Sequence, residues 1–236
     1  MKKQLFLIFG LLLLTFSVNA DYRSYVWTYE FTTMPQGETE LEIYSTLSLA
    51  DQTNKSSAKW EKKLEIEHGL TKWWDFSLYF VFSQSTSTGD FRFDKIQLRT
   101  RLKLIEKESF FVDPLLYLEY KRPADLTSSD VLEAKIILAK DFKQFNSSFN
   151  LIFEKELATS KDIEIKYSLG TSYQYIPQLK FGLELTGNLS GTDSQHQFGP
   201  TIAVASGELW TSFGVLWALT DKAKDLQIRA IIGLLL

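Results

Sequence analysis

The order of apolar and polar positions is the most informative property of this chain. From Glu38 to the last residue, apolar and polar residues alternate in stretches of about ten separated by short polar turns, and the run from Glu38 to Leu47 reads ETELEIYSTL. Because successive side chains of a β-strand point to opposite faces, each stretch has one apolar and one polar face. The alternation predicts an all-β chain whose strands face an apolar phase on one side and water on the other.

Alternation and turn residues together predict twelve strands. They lie near residues 38–49, 58–68, 75–84, 92–104, 111–121, 131–140, 145–154, 162–175, 179–189, 196–206, 209–219 and 226–236. Longer polar links follow the odd-numbered strands and tight links follow the even-numbered ones, as in bacterial barrels with both chain ends in the periplasm. Residues 25–31 also alternate, but a thirteenth strand would start the barrel on the wrong side. Residues 21–37 are therefore expected to form a periplasmic or lumenal N-terminal segment.

Strand number and aromatic placement favour a membrane barrel over a soluble one. Twelve strands enclose a lumen too wide for apolar side chains to fill, whereas a soluble barrel closes well at about eight. Aromatic residues fall near both predicted ends of the strands, as in the interfacial girdles of membrane barrels. These residues are Trp60, Phe91, Phe93, Tyr120 and Trp217 at the outer end, and Trp73, Trp74, Tyr175 and Trp210 at the periplasmic end. We expect a transmembrane antiparallel β-barrel over residues 38–236, with a soluble barrel as the alternative.

The first twenty residues have the composition of a secretory signal peptide. Lys2 and Lys3 precede an apolar stretch at residues 5–16, and small residues up to Ala20 form a cleavage site. A span of twelve apolar residues is short of the roughly 20 that a transmembrane helix needs. The pattern predicts export, a mature chain beginning at Asp21, and residence in the outer membrane of a Gram-negative bacterium.

Charge and cysteine content narrow the range of partners. Without Lys2 and Lys3 the chain has 24 basic residues against 29 acidic ones, a net charge of −5. This balance argues against a nucleic-acid partner, which favours a clustered positive surface. The chain has no cysteine, so a lipid-modified cysteine and disulfide bonds are excluded. Membrane lipid is the expected partner, and the barrel is expected to be a monomer.

The polar row of the strands predicts a charged lumen. Its charged members are Glu40, Glu42, Glu65, Glu67, Asp75, Arg99, Arg101, Lys103, Glu119, Glu133, Lys135, Glu164 and Lys166. Such a ladder can select ions or polar solutes, or its charges can cancel across neighbouring strands. Pairing is the default, since unpaired charges in a narrow lumen are costly. Arg99 and Arg101 are the expected exception, because two consecutive inward guanidinium groups stay charged.

Glycines replace charges on the polar row of the later strands. They are Gly170, Gly182, Gly199, Gly214 and Gly233. Glycine on an inner wall marks a bend or a close approach of other backbone. One hypothesis is that the N-terminal segment, with Trp27 and Tyr29, packs inside the barrel against this wall. The alternative is that the glycines only let the sheet curl.

Catalytic and metal chemistry is not indicated. The two histidines are His68, at a periplasmic strand end, and His196, which is followed by Gln197 and Phe198. A nucleophilic site needs a serine and a histidine in hydrogen-bond reach with a third group orienting the base. Neither a metal-ligand spacing nor a glycine-rich phosphate loop occurs in the sequence. We expect no enzymatic activity, cofactor or metal.

Residues 29–42 (YEFTTMPQGETELE), residues 67–71 (EHGLT) and Gly199–Pro200 carry a family resemblance. They resemble an uncharacterised family of Gram-negative outer-membrane β-barrels, similar to the outer-membrane transporters of phenol-degradation operons. The resemblance implies a barrel and a transport role, with no defined substrate. The chain departs from the usual outer-membrane pattern by ending in Leu236 rather than Phe or Trp, which bears on insertion.

These observations predict a narrow passage for small polar solutes. The outer links are too short for a folded constriction loop. The alternative is a structural or adhesive barrel whose lumen is closed by its own salt bridges.

Overall fold

The computed structural model describes residues 22–84, 89–158, 160–190 and 194–236, so the expected signal peptide lies outside the described residues. Twelve strands form one closed antiparallel barrel, which confirms the expected fold class. They are β1 (Thr39–Leu49), β2 (Ala58–Thr71), β3 (Trp74–Gln84), β4 (Arg92–Lys103), β5 (Asp113–Pro123), β6 (Val131–Phe142), β7 (Phe145–Glu156), β8 (Glu164–Ile176), β9 (Leu179–Asn188), β10 (Gln195–Ser206), β11 (Leu209–Ala218) and β12 (Leu226–Leu235). A 3₁₀ turn, Lys55–Ser57, lies between β1 and β2.

Among the described residues, no helix is long and apolar enough to cross a membrane.

Each strand pairs with its sequence neighbours, and β1 pairs with β12 to close the sheet. In the closing register Glu40 lies opposite Leu235 and Ile43 opposite Ile232. The Leu236 amide donates to the Thr39 carbonyl at 2.9 Å, which extends the pairing to the end of the chain. Closure removes the unpaired edges that would otherwise recruit other strands.

Strand β2 runs three residues further than the sequence predicts, to Thr71. The Gly69 amide donates to the Glu38 carbonyl at 3.0 Å, and the Gly37 amide donates to the Gly69 carbonyl at 2.8 Å. These contacts with the chain before β1 hold the end of β2 extended, past the glycine at which a turn is predicted. An added Cβ at Gly69 would overlap the backbone of Met34 and Pro35, so this position requires glycine.

The apolar row faces outward and forms a continuous belt. Its exposed members include Ile43, Ile66, Leu98, Leu118, Ile136, Leu169, Leu183, Phe213 and Ile232. An exposed apolar surface of this extent belongs in lipid rather than in water. Trp74 and Tyr175 are exposed near the periplasmic end of the belt, and Phe91, Phe93 and Trp217 near the outer end.

Trp210 does not belong to the periplasmic girdle, contrary to the sequence prediction. Its side chain is 1% exposed, contacts Gly233 across the strand pair and donates its indole N–H to Glu40 at 2.8 Å. Trp210 lies two residues before the buried Ser212 and four before Gly214 on β11, so strand periodicity directs it inward. The absence of a side chain on Gly233 leaves room for its ring.

Candidate solute pathway through the barrel

The interior is lined by the polar row, and residues 22–37, named here the lumenal segment, lie inside it. The Tyr22 hydroxyl donates to the Pro177 carbonyl at 2.5 Å, in the turn between β8 and β9. At the other end of the segment, Gly37 bonds to Gly69 of β2. Both ends therefore lie at the periplasmic end of the barrel, while the tip at residues 26–28 reaches further into the lumen.

One carboxylate holds the tip of the lumenal segment. Glu184 of β9, fully buried, accepts the backbone N–H groups of Val26, Trp27 and Thr28 at 2.8, 2.9 and 2.7 Å. Charge-assisted bonds of this kind are about twice as strong as neutral ones. Three successive backbone donors thus converge on one charged acceptor. In the sequence this acid shares the inward row of β9 with Lys180, which bonds to the Tyr22 carbonyl, so charge alone does not single it out.

A second anchor comes from β7. The Asn150 side chain accepts the Tyr29 amide at 2.7 Å and donates to the Tyr29 carbonyl at 2.9 Å. Ser148 also donates to that carbonyl, at 2.5 Å. This pairing satisfies the backbone of a segment that makes almost no sheet contacts of its own, which is required of buried peptide groups.

Two of the inward glycines make room for the lumenal segment. A Cβ placed on Gly170 would lie 2.6 Å from the Tyr25 ring, and one on Gly214 would lie 2.6 Å from the Trp27 ring. The other three approach neighbours within the barrel wall: Gly182 meets Thr201, Gly199 meets the Val215 backbone and Gly233 meets Trp210. The inward glycines therefore serve two purposes: two of them make room for the lumenal segment, and three allow close packing within the barrel wall.

Arg99 and Arg101 are ion-paired, so the expectation that they would be the unpaired exception is wrong. Arg99 lies 2.6 Å from Glu67 and 3.0 Å from Glu65, the latter without hydrogen-bond alignment. Arg101 contacts Asp75 at 2.6 Å and also pairs with Glu67. The register places Glu67, Ser77 and Arg99 in one row across β2, β3 and β4. Because Ser77 is small, Arg99 reaches across it to Glu67.

The lumenal segment contributes a third guanidinium to this cluster. Arg23 donates to the Tyr44 hydroxyl at 2.7 Å and lies 3.6 Å from Glu42. Carboxylate oxygens of Glu42, Glu65 and Glu67 lie within 4.8 Å of one another, a spacing compatible with a cation. In this structure the arginines supply the compensating positive charge, and the remaining inward acid of β1, Glu40, bonds to Trp210.

Tyr29 lies among the cations of the barrel wall. Arg23 and Lys135 are each 4.5 Å from its ring centroid, Arg99 is 5.8 Å away and Arg101 is 6.0 Å away. Burial alone raises the pKa of Tyr29, but the charges of Arg23, Lys135 and Arg99 lower it to about 8. The lumenal segment is therefore attached to β4 and β6 by electrostatic contacts, in addition to its hydrogen bonds with β7 and β9.

The outer half of the lumen carries a second charge network, across β5 to β8. Lys121 contacts Glu133 and Glu154, both at 2.7 Å. Lys135 lies 2.9 Å from Glu133. Lys166 lies 2.8 Å from Glu154 and 2.9 Å from Glu164. Glu119 accepts hydrogen bonds from Gln97 and Tyr117. Glu164 is exposed at the rim, and Lys103 at the periplasmic end lies 5.6 Å from the Phe31 ring. The register sets Glu119, Glu133, Glu154 and Glu164 opposite one another in one row. The lysines on either side of this row supply the compensating positive charge, since like charges directly opposite are destabilising.

Within the described residues, cavities lie in the lumen on both sides of the lumenal segment. The periplasmic cavity, about 260 Å³, is lined by Glu30, Asp141 and Lys180 among others. On the outer side, the cavity named here the outer cavity, about 240 Å³, is lined by Trp27, Tyr44 and Arg229 among others. A neighbouring space of about 260 Å³ is lined by Trp27, Lys166 and Gln197 among others. The segment therefore divides the water-accessible interior. Sequence reasoning missed Arg23, Glu184 and Arg229, because their roles arise only from contact with the lumenal segment.

Among the residues that the structure describes, neither histidine forms a hydrogen bond with a serine side chain. Thr39 Oγ1 lies 2.8 Å from His68 Nδ1, and the Tyr167 hydroxyl lies 2.9 Å from His196 Nδ1. Both contacts join neighbouring strands, and neither supplies the nucleophile and base arrangement of a hydrolase.

Comparisons with known proteins give likeness at the level of the fold. No protein-family model and no curated protein matches the sequence. Among solved structures, the chain is similar to an outer membrane channel from Pseudomonas putida F1, with a TM-score of 0.64 and 13% identity over 90% of this chain and 100% of that one. It is also similar to the NanC porin, with a TM-score of 0.58 and 10% identity over 82% and 98% of the two chains. The KdgM porin in complex with disordered oligogalacturonate gives a TM-score of 0.57 and 10% identity over 83% and 97%.

Proposed function

We propose that this protein is a narrow channel for small polar solutes in the outer membrane of a Gram-negative bacterium. The observation that carries the proposal is a charged lumen inside an apolar belt, with cavities on both sides of the lumenal segment. The lumenal segment is the constriction, because its tip lies between the cavities. The outer-membrane channel and porins of similar fold support this assignment.

The proposed function includes cleavage of a signal peptide, a lipid environment and a monomeric state. Residues 1–20 act as a cleaved signal peptide, and membrane lipid covers the exposed belt. Each strand finds both of its hydrogen-bonded neighbours within one chain, which supports a monomer. No enzymatic step is part of the proposed function.

The charge ladder predicted from the sequence is assigned to the wall of this channel. In the periplasmic half the pairing of Arg99 and Arg101 with three acids holds the part of the wall that faces Tyr29 of the lumenal segment. In the outer half the lysines and glutamates are less deeply buried and line the solute path. We assign the first group a structural role and the second a role in selectivity.

The finer kinship, with the outer-membrane transporters of phenol-degradation operons, is also a proposal. The residues that carry this resemblance, 29–42, form the second half of the lumenal segment and the start of β1. The resemblance therefore falls on the part of the chain that lines the proposed pathway.

The second candidate function is a structural or adhesive barrel with a closed lumen. It is favoured by the complete burial of Arg99, whose side chain is 0% exposed, and by the dense bonding of the lumenal segment to the wall. In this alternative the lumenal segment blocks the lumen permanently.

Planar-bilayer recording of the refolded protein separates the two functions. We expect a small conductance from the complete barrel, and a several-fold larger one after removal of residues 22–37. The variant Glu184→Gln keeps the segment but places an amide where three N–H donors converge, so its current is expected to rise or fluctuate more. Glu208→Gln, in the exposed turn between β10 and β11, is the matched control.

Each outcome decides between the functions. Conductance at background in the complete protein and in both altered forms would end the channel proposal and favour the closed barrel. Conductance unchanged by removal of residues 22–37 would show that the lumenal segment is not the constriction.

A further inference from the structure

The outer cavity has a wall chemistry that suits one class of solute. It holds about 240 Å³ between the tip of the lumenal segment and the outer halves of the strands. This is just below the range of about 300–1,000 Å³ found for sites of drug-sized ligands. The cavity therefore has room for a single ring or a short chain rather than for an oligomer.

The basic residues of this cavity outnumber the acidic ones. The six basic residues are Arg23, Lys63, Lys95, Lys121, Lys135 and Arg229, and the three acidic ones are Glu61, Glu119 and Glu133. Five of the basic side chains lie within 4 Å of a carboxylate. Within the described part of the chain, Arg229 has no such ion pair. Arg229 is therefore the basic side chain of this wall that none of the described carboxylates contacts, and the acid in its row, Glu61, lies beyond Thr46 and pairs with Lys63.

The neutral contacts of Arg229 orient it without neutralising it. Its Nε donates to Thr46 Oγ1 at 2.9 Å, and Nη1 donates to the Val26 carbonyl at 3.0 Å. Its guanidinium carbon lies 5.4 Å from the Trp27 ring centroid. A guanidinium that is half-buried, held in place and unpaired matches a carboxylate in geometry and charge.

Two further groups of the cavity lining have unused hydrogen-bonding capacity. The Trp27 indole N–H and the Gln97 side-chain oxygen are buried and have no partner among the described residues. Gln97 uses its amide N–H₂ group on Glu119, which leaves the oxygen as an acceptor. Buried polar groups are rarely left unpaired, since the loss of hydration is costly. Hydroxyl groups of a ligand could bond to either group.

We propose that the outer cavity binds a small hydroxylated carboxylate, with Arg229 pairing with its carboxylate and Trp27 and Gln97 contacting its hydroxyl groups. This assignment deepens the proposed function and rests on it for the role of the site in transport. Tyr44, Tyr79 and Tyr117 line the same cavity and offer ring surfaces against which the ligand can pack.

The test uses three sugars with the same six-membered ring and different charge. Glucuronate is negative, glucose is neutral and glucosamine is positive. Saturation-transfer NMR on the refolded protein in detergent is expected to show glucuronate binding at least about tenfold more tightly than glucose, with no binding of glucosamine. Raised salt should weaken glucuronate binding by screening. This comparison needs no variant. Equal binding of the three sugars, or preference for glucosamine, would overturn the proposal.

Variants locate the site. Arg229→Gln is expected to lower glucuronate affinity about tenfold and to leave glucose binding unchanged. Arg122→Gln removes a positive charge outside the cavity, in an exposed pair with Asp130, and should have no effect. Trp27→Phe keeps an aromatic six-membered ring, removes the five-membered ring with its N–H, and should weaken binding of both sugars. Glucuronate binding that survives Arg229→Gln would refute the assignment.

Conductance recorded on the same preparation distinguishes this proposal from the function. Selective glucuronate binding without conductance would end the channel proposal and leave the binding site standing. Conductance without selective glucuronate binding would refute the proposed binding site and leave the channel proposal standing.

Discussion

Arg99 shows how an inward-facing residue depends on neighbours in other strands. Its guanidinium contacts Glu65 and Glu67 of β2, Ser77 and Tyr79 of β3 and none of its own strand neighbours. Ion pairs with this degree of burial gain stability only while both partners are present, since a single buried charge carries an uncompensated desolvation cost.

Substitution of Arg99 should therefore be severe. Arg99→Ala leaves Glu65 and Glu67 short of a counter-charge, and we expect a loss of about 3–5 kcal/mol in the free energy of unfolding. Arg122→Ala removes the same side chain from an exposed pair with Asp130 and should change the free energy of unfolding far less, because solvent screens the pair. Denaturant unfolding of both variants in detergent measures the difference. Equal losses would contradict a special role for the buried cluster.

The titration of Tyr29 gives a second residue-scale prediction. With a native pKa of about 8 and an unfolded value near about 10, Tyr29 is ionised at pH 9 only in the folded protein. The resulting stabilisation is fully present above the unfolded pKa and is lost as the pH falls through the native one. Ultraviolet absorbance should show one tyrosinate forming near pH 8, and Tyr29→Phe should remove that step. A folded protein with no such step would contradict the electrostatic attachment of the segment.

At the scale of elements, the lumenal segment and the strands it contacts form one packing unit. The segment has a single bridge to the sheet, between Gln36 and Gly69, and otherwise depends on side chains of the wall. Its position is thus set by where the wall offers an acceptor, as at Glu184, or an open space, as at Gly170.

Filling that space should displace the segment and spare the barrel. Gly170→Ala places a methyl group 2.6 Å from the Tyr25 ring and disturbs the hydrogen bond of its hydroxyl to Asn146. Trypsin cleavage after Arg23 should then accelerate about tenfold, since roughly 1.4 kcal/mol of lost docking energy raises the open population tenfold.

The matched control is Gly187→Ala, whose methyl group meets His196 of β10 and Tyr167 of β8, both in the barrel wall. Mass spectrometry of the released fragment measures cleavage at Arg23 in both variants. Equal cleavage rates would mean that Gly170 does not position the segment.

At the scale of the whole molecule, the barrel is arranged between two solvents. The apolar belt encircles the barrel and the charges face inward, so membrane lipid stabilises the outer surface while paired charges and water occupy the lumen. A soluble barrel with the same strands would have the opposite arrangement, with the apolar row inside.

The belt can be tested with one substitution. Ile43→Lys, on a 50% exposed position midway along β1, should lower stability in lipid vesicles by about 2–4 kcal/mol, because a charge then lies near the bilayer midplane. Ile163→Lys, at an equally exposed position between β7 and β8, should be close to neutral. Unfolding in vesicles compares them, and a neutral Ile43→Lys would argue for a barrel in water.

Much of this architecture could be predicted from local patterns. Alternation with a period of two assigns each residue to the inner or outer row, and turn lengths assign the strand ends, because both depend only on nearby residues. The twelve strands and the inward position of Glu40 and Glu42 follow from such patterns. The same rule also places Trp210 inside the barrel. Its position near the periplasmic end of a strand, taken alone, wrongly predicts a place in the lipid-facing girdle.

The sequence by itself determined the strands, their order and the two rows, since these follow from the covalent alternation of side chains along each strand. Only the tertiary structure decided which inward groups meet. The pairing of Arg99 with Glu67 depends on the register of three strands. The hydrogen bonds of Glu184 with the amides of residues 26–28 join parts of the chain more than 150 residues apart. Such contacts have no local signature, because closure of the barrel and insertion of the lumenal segment bring their partners together.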